Sequence, residues 1–258
     1  MSPPQDLPPG QQPSWKDTAA LSIAIPQVAG LAMRAGLGIT VVLYILNQTH
    51  QLPKPLGAVV SKLLFYPTLP ITAFKRINKW VNRIDDTVVL GGAPFVFLDY
   101  PRKLKDDYDV GGVINMCQEW RGPTRQYKTL GIEELYLPTT DHFEPELEDL
   151  ISALSFINRF EAQGKSVYIH CRAGHGRSGA VAFAWLLFKG YPKSVADPEA
   201  LNKDLCKLRS VRKKLWKQKN IRALCDRLEK SKGSLVDLND SFFKEEKEDA
   251  TDEKKKEL

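Results

Sequence analysis

Residues 166–190 read SVYIHCRAGHGRSGAVAFAWLLFKG, and this stretch decides the fold. The first five residues predict a buried strand, and the apolar run that stops at Gly190 predicts a buried helix. A short loop that contains Gly174 and Gly176 joins the two elements. A strand, a short loop and a helix in direct succession are typical of α/β proteins.

The loop has the features of a binding site for a tetrahedral oxyanion. Its backbone amides can point inward at the anion, and the N-terminus of the helix adds about half an elementary charge. The two glycines let the backbone approach the ligand or adopt a positive φ. Arg177 can bind two phosphate oxygens through its planar guanidinium. The predicted substrate-binding residues are His170, which would orient the loop, and Arg172, Ala173, Gly174, His175 and Gly176.

Cys171, at the end of the predicted strand, is the candidate nucleophile. A thiol at a helix N-terminus beside an arginine has its pKa lowered from about 8.5 to about 3.5–7.5, so it is a thiolate at neutral pH. Ser178 could stabilise this thiolate when it leaves again. A lone cysteine at a strand end is more often a small buried hydrophobe, but the two glycines, Arg177 and Ser178 favour the nucleophile. The other cysteines lack this setting and are predicted to be structural: Cys117, Cys206 and Cys225.

A thiolate that attacks a phosphate ester also requires a proton donor on the other side of the phosphorus, because an alkoxide is a poor leaving group. Asp141 is the best candidate, since its loop, TTDHFEP, lies between a predicted strand and a predicted helix. The carboxyl ends of parallel strands meet at one sheet edge, which would bring Asp141 close to the cysteine loop. Glu144 and Glu146 are weaker candidates, because acidic residues at a helix start commonly interact with the helix dipole.

The sequence around this unit continues the α/β pattern. Short apolar runs, TVVLGG, GGVINM and ELYLP, predict further strands, and an amphipathic helix is predicted from about 145 to 161. Two more helices are predicted near 198–208 and 215–229. The predicted fold is therefore a central, mostly parallel sheet flanked by helices, with an apolar extension before it.

Composition divides the chain of 258 residues into four parts. Residues 1–18 form a Pro- and Gln-rich leader that is predicted to be disordered, and 19–79 form an apolar segment that could associate with a membrane. The phosphatase domain is predicted over 80–229, followed by a charged, disordered tail over 230–258.

The apolar segment leaves three alternatives open. Residues 19–46 contain one charge, Arg34, and are long enough to cross a hydrocarbon core of about 30 Å. A charge at mid-span costs about 2.5–3.5 kcal/mol on insertion scales, and Pro26 weakens the helix further. The segment could therefore span a membrane, lie in its interface or cover an apolar face of the domain.

Charge and cysteine content limit the possible partners. The net charge of +6 favours acidic partners, such as phosphorylated substrates or an anionic membrane surface. The basic stretch 203–227 is usually a solvated helical face, but near the site it would hold such a membrane. It lacks the interleaved aromatics of a nucleic-acid site. The four cysteines form no CxxC pair and no metal-ligand cluster is visible, so we predict no metal and no cofactor.

The stretch HCRAGHGRSG resembles the signature of the protein tyrosine and dual-specificity phosphatase superfamily, which is His-Cys, five residues, Arg and then Ser or Thr. Further segments, RIDDTVVLGGAPF, GGVINMCQEW and LPTTDHFEP, are similar to mitochondrial phosphatidylglycerophosphate phosphatases and their plant relatives. The resemblance implies a dual-specificity phosphatase fold and a lipid phosphate substrate. It also implies roles for Cys171 as nucleophile, Arg177 as phosphate clamp, Asp141 as general acid and Ser178 as helper.

The chain departs from this branch in its cysteine loop. It carries Arg172 and His175 where the relatives usually have lysine and arginine or a similar basic residue, so one cationic contact becomes pH-dependent. The loop also resembles that of the inositol-lipid 3-phosphatases, which keeps phosphoinositides as an alternative substrate class.

Three functions remain after this comparison of motifs. The first is a lipid phosphatase acting on phosphatidylglycerophosphate, the second a tyrosine or serine/threonine protein phosphatase, and the third a catalytically silent phospho-binding adaptor. Retention of Cys171, Arg177 and Asp141 argues against the adaptor. We expect a monomer. The resemblance implies the mitochondrial inner membrane, whereas the terminal KKEL resembles an endoplasmic-reticulum retrieval signal, and a cytoplasmic location is a further alternative.

Overall fold

The strands of the structure form one mixed sheet. Their bounds are Val81–Arg83 (β1), Val88–Gly91 (β2), Val110–Cys117 (β3), Glu133–Thr139 (β4) and Ser166–His170 (β5). They lie in the order β1-β2-β5-β3-β4, with β1 antiparallel to β2 and the other neighbours parallel. The predicted α/β fold with a mostly parallel central sheet is confirmed. The edge strand β1 was not predicted, because three residues that end in an exposed arginine show no apolar pattern.

This computed structural model describes residues 30, 33–46, 49, 51–74 and 80–238. The chain divides into two units, Met1–Gln51 and Leu52–Leu258. The leader predicted for 1–18 therefore lies outside the described residues, as do the start of the apolar segment and the last twenty residues of the tail.

Helices account for most of the remaining described residues. In the first unit, α1 covers 33–46. In the second unit, the helices are α2 (Lys54–Phe74), α3 (Tyr100–Tyr108), α4 (Thr124–Thr129), α5 (Leu147–Glu161), α6 (Arg177–Lys189), α7 (Lys193–Ala196), α8 (Pro198–Leu208) and α9 (Lys219–Lys230).

Helices flank both faces of the sheet because successive strand residues point to opposite sides. Val88 and Leu90 of β2 pack in the larger core, together with buried residues of α5, α6 and α9. Val89, between them, packs with residues of α3 and α4 on the other face. The parallel strands β2 to β5 therefore direct their carboxyl ends to one edge, where the loop after β5 lies.

The helices predicted around the cysteine loop agree with the structure. The apolar run ends as α6 at Gly190, α8 covers Pro198–Leu208, and α5 begins two residues after the predicted 145. The helix predicted from 215 begins only at Lys219, because Gln218 has an extended backbone after a short 3-10 turn. The short helices α3, α4 and α7 were not predicted.

Helix α2 comes from the predicted apolar segment, yet it packs against the phosphatase domain. Phe65 is fully buried and its ring stacks on that of Trp120 at 6.1 Å between centroids. The helix continues through Pro67 and Pro70, and the hydroxyl of Thr68 donates to the carbonyl of Leu64. The second unit therefore begins at Leu52, upstream of the predicted boundary at 80.

Among the described residues, no helix combines the length and the apolar character needed to cross a membrane.

Leu238, the last of the described residues, is fully buried in the larger core. The tail predicted to be disordered from 230 is therefore ordered at least as far as Leu238, because this leucine packs under the domain.

Candidate active site

The loop between β5 and α6 is shaped by one glycine with a positive φ. Cys171 follows β5 directly, and α6 begins at Arg177. Gly174 has a φ of 68°, and a Cβ at this position would overlap the backbone carbonyl of Gly91. Gly176 has a φ of −97°, which any residue can adopt, but a Cβ there would lie 3.0 Å from Nε of Arg212. Both glycines therefore permit close approach of neighbouring groups.

Cys171 lies buried at the start of this loop, with only 3% of its surface exposed. The hydroxyl of Ser178 donates a hydrogen bond to its Sγ at 3.2 Å. Burial by itself would raise the pKa of the Cys171 thiol, but Arg177, the Ser178 hydroxyl and the amides of Ser178 and His175 outweigh it and lower that pKa. The arrangement therefore favours a thiolate, the nucleophilic form of cysteine.

Arg177 is held by a buried carboxylate that the sequence analysis did not identify. Its Nη1 and Nη2 each donate to Glu119 at 2.7 Å, and both side chains are nearly inaccessible to solvent. Nη1 also donates to the carbonyl of Thr139 at 2.9 Å. Glu119 follows β3 by two residues, so the convergence of parallel strand ends could have identified it. This bidentate pair fixes the plane of the guanidinium beside Cys171.

Asp141 contacts two guanidiniums, one of which is that of Arg177. Its Oδ1 lies 3.0 Å from Nη2 of Arg177, and its Oδ2 lies 3.1 Å from Nη2 of Arg172. Burial would raise the pKa of Asp141, but these two arginines and His142 hold it well below its usual range. Asp141 is therefore an ionised carboxylate, and it contacts the same two cations that a phosphate bound in the cysteine loop, which we call the phosphate cradle, would contact.

The comparisons with known proteins agree with this geometry. Residues 98–203 match the family described as dual specificity phosphatase, catalytic domain. The human phosphatidylglycerophosphatase and protein-tyrosine phosphatase 1 is 37% identical over 144 residues, which cover 51% of this chain and 71% of the human protein. This chain belongs to the dual-specificity phosphatase family. It is therefore a cysteine-dependent phosphatase. The resemblance of HCRAGHGRSG to the signature of this superfamily is confirmed.

Two further relatives of this dual-specificity phosphatase are informative. The phosphatidylglycerophosphate phosphatase PTPMT2 of Arabidopsis thaliana is 36% identical over 134 residues, covering 49% of this chain and 58% of the plant protein. A crystal structure of PTPMT1 superimposes with a TM-score of 0.50 and 30% identity, covering 58% of this chain and 96% of that structure.

Two of the predicted substrate-binding residues also contact protein groups outside the cysteine loop. Arg172 is mostly buried, and its Nη1 donates to the Thr68 hydroxyl of α2 at 3.2 Å. The half-buried His175 has its Nδ1 2.9 Å from the carbonyl of Ser210.

His170 is fully buried in the phosphatase, with its ring next to those of Tyr168 and Trp120. Burial lowers the pKa of His170 to about 3, so this imidazole is neutral and packs under the loop rather than against a substrate.

Two arginines of the phosphatase support the loop from the predicted basic stretch. Arg209 is buried, and it donates to the carbonyls of Gly174 at 3.0 Å and Ala173 at 3.3 Å. Arg212 donates from Nη2 to the carbonyl of His142 at 2.9 Å, next to Asp141. The interpretation of this stretch as a solvated face is therefore wrong for Arg209. Sequence periodicity gives no signal for either contact, because both depend on the tertiary fold.

Proposed function

We propose that this phosphatase hydrolyses the phosphomonoester of phosphatidylglycerophosphate, with Cys171 as nucleophile. The observation that carries the proposal is the Cys171 sulfur, which lies under Arg177 within hydrogen-bond distance of Ser178. Relatives named for phosphatidylglycerophosphate, and more than a third identical to this chain, support the choice of substrate.

In the first step, the Cys171 thiolate attacks phosphorus and forms an S–P bond while the P–O bond to the glycerol breaks. Asp141 gives its proton to the leaving alkoxide, so that phosphatidylglycerol departs with a free hydroxyl group. Arg177 binds two of the equatorial oxygens, and Glu119 keeps its fork in the plane that this requires. The products of this step are phosphocysteine and phosphatidylglycerol, whose released hydroxyl is uncharged and whose phosphodiester keeps its negative charge.

In the second step, water attacks the phosphocysteine. The Asp141 carboxylate accepts a proton from this water, a new P–O bond forms, and the S–P bond breaks to release inorganic phosphate. Ser178 donates to the departing sulfur, as it does in the empty site. The thiolate and the protonated Asp141 are thereby restored together.

Asp141 must be protonated for the first step, although its contacts with the two arginines lower its pKa. A bound phosphate dianion would take over the contacts with Arg172 and Arg177, and it would place negative charge beside the carboxylate. Both changes raise the pKa of Asp141, because they remove a cationic partner and add a like charge. Substrate binding itself would therefore favour the acid form of this residue.

Phosphoinositides are the second candidate substrate class. A crystal structure of PTPMT1 in complex with PI(5)P is 28% identical to this chain with a TM-score of 0.50, so a relative of the same fold binds an inositol lipid. The mostly buried Arg172 beside the cradle would suit either lipid headgroup, because it adds a second guanidinium to that of Arg177.

A substrate comparison tests the proposed function. We expect kcat/KM for vesicle-borne phosphatidylglycerophosphate to exceed that for phosphatidylinositol 5-phosphate and for a phosphotyrosyl peptide. Cys171→Ser, with a thermal unfolding midpoint close to that of the wild type, should be inactive on all three. A phosphopeptide turned over as fast as the lipid would refute the lipid assignment, whereas an active Cys171→Ser protein would refute the nucleophile.

We also propose that the enzyme works at an anionic membrane surface of the mitochondrion. The net charge of +6 and the resemblance to mitochondrial phosphatases support this location. Imaging of the protein with a free C-terminus tests it, because a reticular pattern that depends on the terminal KKEL would favour the endoplasmic reticulum instead.

A further inference from the structure

An apolar cavity of about 330 Å³ lies between α2 and the segment that follows β2. We call this cavity the α2 groove. None of the described residues that line it is charged, and its size falls within the range of about 300–1,000 Å³ that is usual for ligand sites. The residues that form its two walls are Leu69 and Pro70 of α2 and, opposite them, Trp80, Phe95, Phe97, Leu98 and Tyr100.

Residues next to both walls of the α2 groove form hydrogen bonds with Arg172 of the cysteine loop. On one side, Nη1 of Arg172 donates to the hydroxyl of Thr68, the residue directly before Leu69. On the other side, the amide of Ala93 donates to the carbonyl of Arg172 at 3.2 Å, two residues before Phe95. Since Arg172 also pairs with Asp141, the groove begins beside the mouth of the catalytic site.

Ring contacts hold the inner part of the α2 groove open. Phe95 contacts Trp80 at 6.1 Å and Trp120 at 5.5 Å between ring centroids, and Trp80 donates from its indole nitrogen to the carbonyl of Ala93. Phe65 of α2 stacks on the same Trp120. The wall positions are therefore fixed without a ligand, so an occupant would meet a preformed site.

The rim of the α2 groove is apolar as well, although it faces solvent. Phe97 is 79% exposed, and Leu98 beside it is 46% exposed. Clustered exposed apolar side chains around a cavity mark a binding surface, whereas single exposed ones do not. An apolar rim that continues into an apolar cavity is suited to a long hydrocarbon ligand.

We propose that the α2 groove binds an acyl chain of the lipid whose phosphomonoester occupies the cradle. This inference rests on the proposed function. A peptide would bring backbone amides and carbonyls that require hydrogen-bond partners, and the uncharged lining offers few. A hydrocarbon chain requires none, and it suits a lining whose polar side-chain groups are the Trp80 indole nitrogen, which donates to Ala93, and the Tyr100 hydroxyl.

Monomeric substrates separate the groove from adsorption to a bilayer. We expect kcat/KM for dihexanoyl phosphatidylglycerophosphate, used below its micellar concentration, to exceed that for the deacylated headgroup by about tenfold or more, because several methylenes leave water. The double variant Phe97→Gln/Leu98→Gln should lose most of this ratio. Val236→Gln, which changes an exposed valine elsewhere on the domain, should keep it.

A ratio near one in the wild type, or a ratio unchanged in the double variant, would overturn the proposal. If the acyl chains raise kcat/KM only when the substrate is in vesicles, the proposal is also overturned, because that result indicates that the apolar rim contacts the bilayer.

Fluorescence quenching gives a second measurement that does not depend on turnover. In Cys171→Ser protein, a dibrominated acyl chain on phosphatidylglycerophosphate should quench emission from Trp80, a groove wall. The quenched signal should fall by at least half in Cys171→Ser/Trp80→Phe. Absence of quenching would overturn the proposal.

The two measurements distinguish failure of the groove from failure of the proposed function. If the wild type hydrolyses phosphatidylglycerophosphate but Trp80 is not quenched, the groove assignment fails and the activity stands. If Trp80 is quenched but the wild type does not hydrolyse the lipid, the activity fails and the acyl site stands.

Discussion

The reactive residues of the cysteine loop lie close together in the sequence, whereas the residues that hold this loop in place lie far from it in the sequence. Cys171, Arg177 and Ser178 belong to one continuous stretch, and their contacts follow from a strand, a turn and a helix start. The side chains that hold this loop are Glu119, which follows β3, Thr68 of α2, and Arg209, which follows α8. Reactivity is thus encoded locally, whereas the geometry that makes it usable depends on the whole fold.

Replacing Asp141 tests the locally predictable part of the site and should have the largest effect. We expect Asp141→Asn to lower kcat by about 10²–10⁴-fold on phosphatidylglycerophosphate, whose leaving group needs a proton. The loss on p-nitrophenyl phosphate, whose leaving group is stabilised already, should be smaller. Steady-state kinetics on both substrates gives the comparison, and equal losses would contradict the general-acid role.

Replacing Glu119 tests the distant support. Glu119→Gln removes the bidentate carboxylate from Arg177, which then turns toward Asp141 alone. We expect kcat to fall by about 10²-fold, since a misplaced clamp costs this much. Binding of vanadate should weaken in parallel.

A merely structural role for Glu119 would lower the unfolding temperature and leave vanadate affinity unchanged. Asp141→Asn serves as the matched control, because it removes a different carboxylate from the same guanidinium and should not weaken vanadate binding.

His170 allows the buried side of the loop to be tested by pH. Its folded-state pKa of about 3 lies below the ordinary 6.5, because burial disfavours the charged ring. The stability from the neutral ring is therefore present above pH 6.5 and is lost as pH falls from 6.5 toward 3. In this window the unfolding constant should rise by up to about tenfold per pH unit from this group.

Chemical denaturation at several pH values, with His170→Gln for comparison, measures this slope. A variant that retains the full wild-type slope between pH 6.5 and 3 would show that His170 is not the group responsible.

The sequence predicts the cradle and most of the sheet because their signals are local. SVYIH has apolar residues at its centre and is buried throughout, as is usual for a central parallel strand, and Gly190 stops α6. Arg209 could not be placed, since it lies far along the chain from Gly174 and no periodicity links the two residues. Glu119 follows a predicted strand, so the convergence of strand ends indicates its position near the cysteine loop but not its pairing with Arg177. The sequence predicts only an apolar segment where α2 lies, because Pro67 and Pro70 argue against a helix. Trp120, on which Phe65 of α2 stacks, is also far away along the chain.

Arg212 gives the smallest expected effect and separates position from charge in the basic stretch. Arg212→Gln removes the hydrogen bond to the carbonyl of His142, which holds the Asp141 loop against the cradle. Loss of one hydrogen bond should lower kcat by about fivefold. The matched control is Lys213→Gln, which removes the same charge from an exposed neighbour. If this stretch acted only through its net charge, both variants would lose activity equally; if Arg212 holds the loop, only its replacement slows turnover, and added salt does not reduce the difference because the contact is partly buried.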